Sequence, residues 1–287
     1  MKTLLILTAM ACPLLLPAQE RKLRIIAFGA HPDDCDIKFA GTAHKFAKAG
    51  HAVKFVSVTN GDVGHHEMSG GELARRRYAE TQESARRLGI AEYEVFNNHD
   101  AELVPSLEVR KQVIRAIRGW KADIVIAPRP NDYHPDHRYT GVLVQDAAYM
   151  VVVPNFMSEV PALHDNPIFM YYNDNFQKPA PFRPDIVVRL DDVWDAKINA
   201  MDAHVSQFYE WLPWVAHTLD QVPRDPAARK QYLSKMRVQR ITDEGRRTLE
   251  RRYGKDAAEK VQYAESFELC EYGRQPSLED LDKIFPK

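Results

Sequence analysis

The sequence predicts an α/β protein with a mostly parallel sheet flanked by helices. Short apolar runs rich in β-branched residues alternate with segments of helical periodicity through the first half of the chain, which is the pattern of βαβ units. These runs are apolar at successive positions, as expected of strands that helices cover on both faces. Clusters of histidine and aspartate follow two of the runs, where an open parallel sheet places its ligand site.

The first unit is predicted as strand, helix and strand. The runs LRIIAFGA (Leu23–Ala30) and HAVKFVSVT (His51–Thr59) predict the two strands. Between them, FAGTAHKFAKAG has helical spacing and ends at Gly50, because glycine commonly follows the last residue of a helix. The alternation indicates that the two strands lie side by side in parallel.

The alternation continues to about residue 152. GGELARRRYAETQESARRLGI predicts a polar-faced helix that stops at Gly89, and YEVFN follows as a strand. SLEVRKQVIRAIRGW predicts a helix that begins at Ser106, since a serine side chain accepts hydrogen bonds from first-turn amides. ADIVIAP is the next predicted strand, and HRYTGVLVQDAAYMVV the helix after it.

The second half is less regular. From Pro154 to Pro184 the chain is rich in proline, with IFMYY and then DIVVRL as further strands and VWDAKINAMDAHVSQF as a helix. From about Tyr209 the sequence is charged and predicts helices joined by loops. There is no repeat and no clear boundary, so residues 19–287 are predicted as a single domain with a C-terminal helical elaboration.

Residues 1–18 predict a signal peptide. Lys2 precedes an apolar segment that Pro13 and Pro17 interrupt, and Ala18 supplies a small residue for cleavage. The segment is too short and too rich in proline for a membrane-spanning helix. The expected mature chain has no transmembrane helix and is secreted or periplasmic; lipidation at Cys12 and a buried N-terminal strand are the alternatives.

Charge and cysteine content exclude other classes. Lysine and arginine total 39 against 40 acidic residues, so no basic excess indicates a nucleic-acid partner. After cleavage only Cys35 and Cys270 remain. Two cysteines do not make a disulfide framework, and we expect both to be free and at least partly buried.

Two motifs concentrate the chemistry. AHPDD follows the first strand and supplies His31 and Asp34; RPNDYHPDH follows ADIVIAP and supplies His134 and His137. Both strand ends lie at one edge of a parallel sheet, so these side chains are expected to meet. Imidazole and carboxylate groups suit a catalytic zinc ion with three protein ligands, and a remaining acid would serve as general base. Ordinary surface or core positions are expected of His44, His51, His99, His164 and His217. The loop GHHEM carries two further histidines, His65 and His66, which are expected to be solvated, with contact to substrate as the alternative.

The motifs resemble those of the PIG-L/LmbE-like family of zinc-dependent N-acetylglucosaminide deacetylases. AHPDD and HPDH carry the resemblance, with support from TNGD, from RRRYAETQESARRLG and from AHVSQ. It covers nearly all of the expected mature chain. It implies a Rossmann-like fold, a Zn²⁺ cofactor and removal of acetyl groups from amino sugars. No G-x-G-x-x-G loop follows the first strand, which argues against a nucleotide site.

The resemblance also implies roles for individual residues. His31, Asp34 and His137 match the zinc ligands, and Asp33 matches the general base, expected to lie free at the pocket. His134 matches the residue that stabilises the oxyanion, expected in its protonated form, and that can protonate the departing amine.

Further roles concern substrate and support. Arg77, in an R-x-x-E pair with Glu80, is implied to face the substrate, and Asp100 to reach sugar hydroxyls. Asp136 is expected to orient a histidine from behind or to act as a carboxylate at a helix N-terminus. Cys35 stands where relatives commonly have glutamate. It is expected to pack beneath the loop, with an unintended contact to the zinc ion as the alternative.

The predicted function is that of a secreted zinc-dependent hydrolase that removes N-acetyl groups from an amino-sugar-containing glycan or glycoconjugate. One alternative is a zinc hydrolase for another amide or an ester, which the same metal chemistry would serve. The other is a noncatalytic sugar-binding protein on the same fold, although every residue of the implied site is present. The sequence leaves the sugar and the oligomeric state open.

Overall fold

A computed structural model describes residues 21–236 and 240–287 of the chain. The predicted signal peptide and Cys12 lie outside these residues. The described chain forms a sheet of seven strands in the order β3-β2-β1-β4-β5-β7-β6. The strands are β1 (Arg24–Gly29), β2 (Ala52–Ser57), β3 (Glu92–Val95), β4 (Ile124–Ala127), β5 (Ile168–Tyr172), β6 (Ile186–Arg189) and β7 (Ala264–Gly273).

The first five strands are parallel, which confirms the predicted α/β class with a mostly parallel sheet. Strand order reverses between β1 and β4, because β2 and β3 extend the sheet on one side and β4 and β5 on the other. A reversal of this kind leaves a crevice at the carboxyl ends of the two central strands. AHPDD follows β1 and HPDH lies beyond β4, so both motifs reach this crevice.

Helices cover both faces of the sheet. The α-helices are α1 (Asp34–Lys48), α2 (Gly70–Leu88), α3 (Leu107–Trp120), α4 (Pro135–Met150), α5 (Trp194–Met201), α6 (Leu212–Val215), α7 (Pro226–Met236), α8 (Asp243–Tyr253), α9 (Lys255–Glu259) and α10 (Leu278–Ile284). A π-helical segment (Ser206–Trp211) leads into α6, and a 3₁₀ turn (Leu219–Gln221) follows it. The helix predicted across this region is therefore interrupted after Met201.

Two apolar cores sandwich the sheet. Phe39 of α1, Phe55 of β2 and Phe267 of β7 belong to the core beneath α1, α2 and α5. Ile117 of α3 and Leu143 of α4 belong to the core on the opposite face. Burial on both faces accounts for the continuous apolar runs in the central strands. In the described part of the chain, no helix has both the length and the apolar composition needed to cross a membrane.

Local signals in the sequence explain several boundaries. The Ser106 hydroxyl accepts a hydrogen bond from the Val109 amide at 3.3 Å and begins α3, as predicted. Gly89 ends α2 with a φ of 71°, a left-handed conformation that glycine adopts without steric cost. Helix α1 begins at Asp34, the last residue of the first motif, and not near Phe39.

Strand β7 was not predicted from the sequence. This segment, AESFELCEYG, lies in the region predicted as helices and loops, yet it pairs antiparallel with both β5 and β6. Phe267 reaches the core beneath α1 and Cys270 the core on the opposite face, while Glu271 is exposed. Cys270 on β7 and Cys35 on α1 are both free and buried, which confirms the expectation for these two residues.

Candidate active site

Three side chains from the two motifs converge at the crevice. His31 Nδ1 lies 3.2 Å from His137 Nε2 and 3.6 Å from Asp34 Oδ2, and His137 Nε2 lies 3.4 Å from the same Asp34 oxygen. The edges of a tetrahedron around zinc are about 3.3–3.6 Å for ligand bonds of ~2.0–2.2 Å. The two imidazole nitrogens and the carboxylate oxygen therefore fit three corners of a zinc site and leave the fourth corner for a reactant.

The turn between β1 and α1 fixes Asp34. Its Oδ2 accepts hydrogen bonds from the amides of Ala30 and His31 at 2.8 and 2.9 Å. Burial disfavours the ionised form, but His137 and His31 outweigh it and lower the pKa of the Asp34 carboxyl. Gly29 allows the close approach, because a Cβ there would lie 2.6 Å from the Asp34 Cβ.

The second ring nitrogen of each ligand histidine, His31 and His137, faces a carboxylate. The second nitrogen of His31, Nε2, lies 3.0 Å from Asp100 Oδ1 and 3.3 Å from Asp136 Oδ2. His137 Nδ1 lies 3.2 Å from Asp132 Oδ1. Such a carboxylate fixes the tautomer and the ring orientation of a metal-binding histidine.

Asp132 is a site residue that was not predicted from the sequence. Its Oδ1 also accepts a hydrogen bond from the His134 amide at 2.9 Å. The available signal was an acidic residue two positions before a histidine that begins a helix, a common turn arrangement. Asp136 lies in the first turn of α4, fully buried, and its Oδ2 accepts a hydrogen bond from the Ala101 amide at 2.7 Å.

Asp33 and Arg77 form a buried ion pair. Arg77 Nη2 donates to Asp33 Oδ1 at 2.9 Å, and the two residues are only 2% and 6% exposed, respectively. Asp33 is thus not free at the pocket as expected, since one oxygen is held by Arg77. Burial raises the pKa of Asp33, with the Arg77 charge opposing the shift. Gly61 packs on the guanidinium, because a Cβ there would lie 2.5 Å from Nη1.

The structure places both predicted substrate contacts among these supporting groups. Arg77 reaches Asp33, and not an open surface. Asp100 is 4% exposed, and its Oδ2 accepts a hydrogen bond from the Gly64 amide at 3.1 Å while Oδ1 faces His31. Burial opposes ionisation of Asp100, but the hydrogen bond and charge of His31 lower its pKa to about 2. Arg77 is therefore placed to position the acid Asp33, and Asp100 to position the ligand His31.

His134 is the N-cap of α4. Its Nδ1 accepts a hydrogen bond from the Asp136 amide at 3.2 Å, so the proton of the neutral ring resides on Nε2. The ring centroid lies 4.7 Å from that of His31 and 5.0 Å from that of His137. Burial, followed by the charges of His31 and His137, lowers the pKa of His134. The geometry therefore favours a neutral donor, and not the protonated ring expected from the sequence.

The loop GHHEM is packed, in contrast to the solvated loop that was expected. His65 Nε2 lies 2.9 Å from Glu210 Oε2, and Arg76 makes a bidentate pair with the same carboxylate at 2.7 Å. His66 stacks on Trp214 with ring centroids 5.3 Å apart and an interplanar angle of 11°. The α2 and AHVSQ motifs meet here through Glu80, which accepts hydrogen bonds from Ser206. The remaining histidines that were expected at ordinary positions lie outside the ligand cluster: His44, His51, His99, His164 and His217.

Comparisons with known proteins agree with this geometry. The sequence pattern of the PIG-L family, described as GlcNAc-PI de-N-acetylase, matches residues 26–148. This range contains His31, Asp34 and His137. A diacetylchitobiose deacetylase of Thermococcus kodakarensis is 34% identical over 203 residues, which are 67% of this chain and 73% of the relative.

Two solved structures extend the comparison. An N,N'-diacetylchitobiose deacetylase from Pyrococcus horikoshii, in complex with an inhibitor, superposes with a TM-score of 0.63 and 28% identity, over 86% of this chain and 83% of that chain. A 4-carboxy-2-hydroxymuconate hydratase from Pseudomonas putida, 19% identical, shares the fold with a TM-score of 0.68 over 90% and 99% of the two chains. The motifs, the sheet and the relatives together show that this chain belongs to the PIG-L family.

Proposed function

We propose that this protein is a zinc-dependent hydrolase that removes N-acetyl groups from an amino-sugar-containing substrate. The observation that carries the proposal is the convergence of His31, Asp34 and His137 beside the buried acid Asp33. The deacetylases of Thermococcus kodakarensis and Pyrococcus horikoshii support the substrate class. The shared fold alone would not, since fold does not determine the reaction.

The metal-facing atoms would be His31 Nδ1, His137 Nε2 and Asp34 Oδ2. A zinc ion held there supplies Lewis-acid chemistry, which makes an amide carbonyl more electrophilic and a water molecule more acidic. Asp100 and Asp136 face the other ring nitrogen of His31, and Asp132 faces that of His137. Because each ring is fixed through its other nitrogen, both ligands are preorganised.

Asp33 is the proposed general base. Arg77 occupies Oδ1 and leaves Oδ2 to accept a proton from the attacking water. A raised pKa makes a carboxylate a stronger base near neutral pH, and burial has this effect on Asp33. The proton that Asp33 gains is then available to the departing amine, which leaves poorly without one.

His134 is the proposed donor to the carbonyl oxygen, on which negative charge develops during attack. Its Nδ1 is held by the helix amide, so the Nε2 proton is the one it can offer. A fixed donor aimed at a developing charge costs no reorganisation during the reaction. Arg77 and Asp100 are proposed to position Asp33 and His31, in place of the direct sugar contacts first implied.

We further propose export of the mature chain. The support is the sequence of residues 1–18, which combines an early lysine, an apolar segment and a small residue before the cleavage point. An exported enzyme would meet an envelope or extracellular glycan. N-terminal sequencing of protein recovered from the expressing cell's exterior or periplasm should begin at Gln19, whereas retention of Met1 would contradict export by cleavage.

The test of function is acetate release from a panel of N-acetyl sugars, O-acetyl sugars and acyl amino acids, with and without a chelator. We expect release from N-acetyl sugars only, loss with chelator and recovery with zinc. His137→Ala should lose both bound zinc and activity, while the matched control His164→Ala, at an exposed histidine, should keep both. Selective release from esters or acyl amino acids would favour the other hydrolase, and binding of sugars without any release would favour a noncatalytic protein.

A further inference from the structure

A pocket adjoins the candidate metal ligands, and neither Asp33 nor Arg77 lines it. It lies at the carboxyl ends of β1, β4 and β5 and is referred to here as the side pocket. Asp34 and His137 form its wall toward the metal-facing atoms. Lys38, Arg129 and Tyr172 line the remainder. The side pocket therefore opens directly beside the position where the reacting group would be held.

The acids of the side pocket are already engaged. Asp34 Oδ2 faces the two ligand histidines, and Asp132 Oδ1 faces His137. Asp174 pairs bidentately with Arg129, with both distances 2.6 Å. A bidentate arginine–carboxylate pair satisfies both charges, so neither Arg129 nor Asp174 needs a further ionic partner.

Lys38 differs from the other charged side chains of the side pocket, because it has no ionic partner among the described residues. It lies on α1 one turn beyond Asp34, is partly buried, and its Nζ donates to the Asn173 carbonyl oxygen at 2.9 Å. In the part of the chain that the structure describes, no carboxylate lies within 4.0 Å of this ammonium. An ammonium has three donors, and burial lowers the pKa of Lys38, with Asp34 and Asp174 only partly offsetting the effect. A cation in this position gains from an anionic partner.

We propose that the side pocket is a carboxylate-binding subsite in which Lys38 recognises the anion. A singly charged carboxylate fits better than a phosphate dianion, because Asp34, Asp132 and Asp174 already line the pocket and would repel a higher charge. Pro128 and Tyr172 add apolar surface that suits the carbon end of a small carboxylate. Lys38 would thus favour ligands that carry a carboxylate, a feature that the metal-binding residues by themselves do not select.

The carboxylate has two possible sources. One is the acetate that the proposed hydrolysis releases when water attacks the amide and the amine departs. The other is a carboxylate carried by the substrate on the unit next to the N-acetylated sugar. Both interpretations rest on the proposed function, but the binding of a carboxylate at Lys38 can be measured without any turnover.

The first measurement is acetate binding to the zinc-loaded protein by calorimetry. Lys38→Met removes the charge and keeps the length of the chain, Lys38→Arg keeps the charge, and Lys48→Met is a matched control at an exposed lysine of the same helix. Loss of one charge-assisted hydrogen bond should weaken acetate about tenfold or more in Lys38→Met. Lys38→Arg should lose less, and Lys48→Met should bind as the wild type does. Circular dichroism verifies that each variant is folded.

The second measurement compares two N-acetylated disaccharides that differ only in a uronate carboxylate or its methyl ester. If the substrate supplies the anion, Lys38→Met should raise KM for the uronate about tenfold, with kcat and the ester unchanged. If acetate supplies it, only acetate binding should change. Unaltered acetate binding together with an unaltered uronate-to-ester ratio in folded Lys38→Met would overturn the subsite. Should no sugar be deacetylated, Lys38-dependent binding of acetate or uronate would still support it, and the proposed function alone would fail.

Discussion

At the scale of single residues, Asp33 and Asp34 are neighbours with different environments. Asp34 directs an oxygen to the two histidines, whereas Asp33 turns toward Arg77. We expect Asp33→Asn to bind zinc as the wild type does, because Asn can still accept the Arg77 hydrogen bond. Deacetylation should fall about a hundredfold or more, the scale for loss of a general base. Zinc content and steady-state rates measure the two effects.

Asp34→Asn is the matched comparison. A neutral amide is a poorer metal ligand than a carboxylate, so this variant should lose zinc affinity as well as rate. Near-normal turnover by zinc-loaded Asp33→Asn would instead remove Asp33 as the base.

A substitution at Asp132 tests whether the carboxylate that faces a ligand histidine contributes to zinc affinity. Asp132→Ala removes the oxygen that lies 3.2 Å from His137 Nδ1 and should lower zinc affinity about tenfold to a hundredfold. Asp165→Ala, at an exposed aspartate, is the control. Zinc competition with a chromogenic chelator measures the affinities, and equal values for Asp132→Ala and wild type would contradict the assigned orienting role.

At the scale of elements, the turn from β1 into α1 depends on Gly29. An added Cβ would meet the Asp34 Cβ at 2.6 Å and the Cys35 amide nitrogen at 3.3 Å, neither of which belongs to a flexible side-chain end. Gly29→Ala should therefore displace Asp34 and lower zinc affinity about tenfold or more.

Gly119 of α3 provides the contrast, since a Cβ there would meet nothing within 4 Å. Gly119→Ala should keep zinc affinity and stabilise the helix by roughly 0.5–1 kcal/mol, because alanine loses less backbone entropy than glycine. A zinc affinity of Gly29→Ala equal to that of Gly119→Ala would show that the turn tolerates the methyl group.

At the scale of the whole molecule, a buried ion pair joins three elements. Glu265 of β7 accepts hydrogen bonds from the amides of Gly41 and Thr42 in α1, and from Lys197 of α5 at 2.7 Å. Lys197 also donates to the Ile37 carbonyl oxygen. The pair thus supplies partners for helix groups in the middle of α1 and ties α1 and α5 to the sheet.

Glu265→Gln should lower the free energy of unfolding by about 3–5 kcal/mol, because it leaves the Lys197 charge buried without its partner. The double variant with Lys197→Met should recover part of that loss. Glu279→Gln, at an exposed pair with Lys283, should change nothing measurable. Urea unfolding provides the comparison, and a Glu265→Gln midpoint equal to the wild-type value would contradict the assigned contribution.

The features that could be predicted from the sequence are those that depend on local sequence patterns. Apolar runs specified β1 to β6, and the two motifs specified the ligand cluster, because parallel strands bring their carboxyl ends to one edge. The environments of Asp33, Asp100 and His134 were not predictable, since they depend on Arg77, Gly64 and ring neighbours distant in sequence. Strand β7 was missed for a similar reason: its residues are buried on both faces only once it pairs between β5 and β6.

The position of β7 near the end of the chain determines how late in synthesis the sheet can be completed. β6 pairs only with β7 among the described strands, and Tyr172 of β5 meets Phe267 of β7 across nearly a hundred intervening residues. A chain that has emerged only as far as residue 263 already contains every proposed ligand, acid and donor. It nevertheless presents β5 with an open hydrogen-bonding edge and β6 with no partner, the condition that invites pairing with other chains. Completion of the sheet is therefore a late event, and its aggregation-prone interval ends only when residues 264–273 arrive.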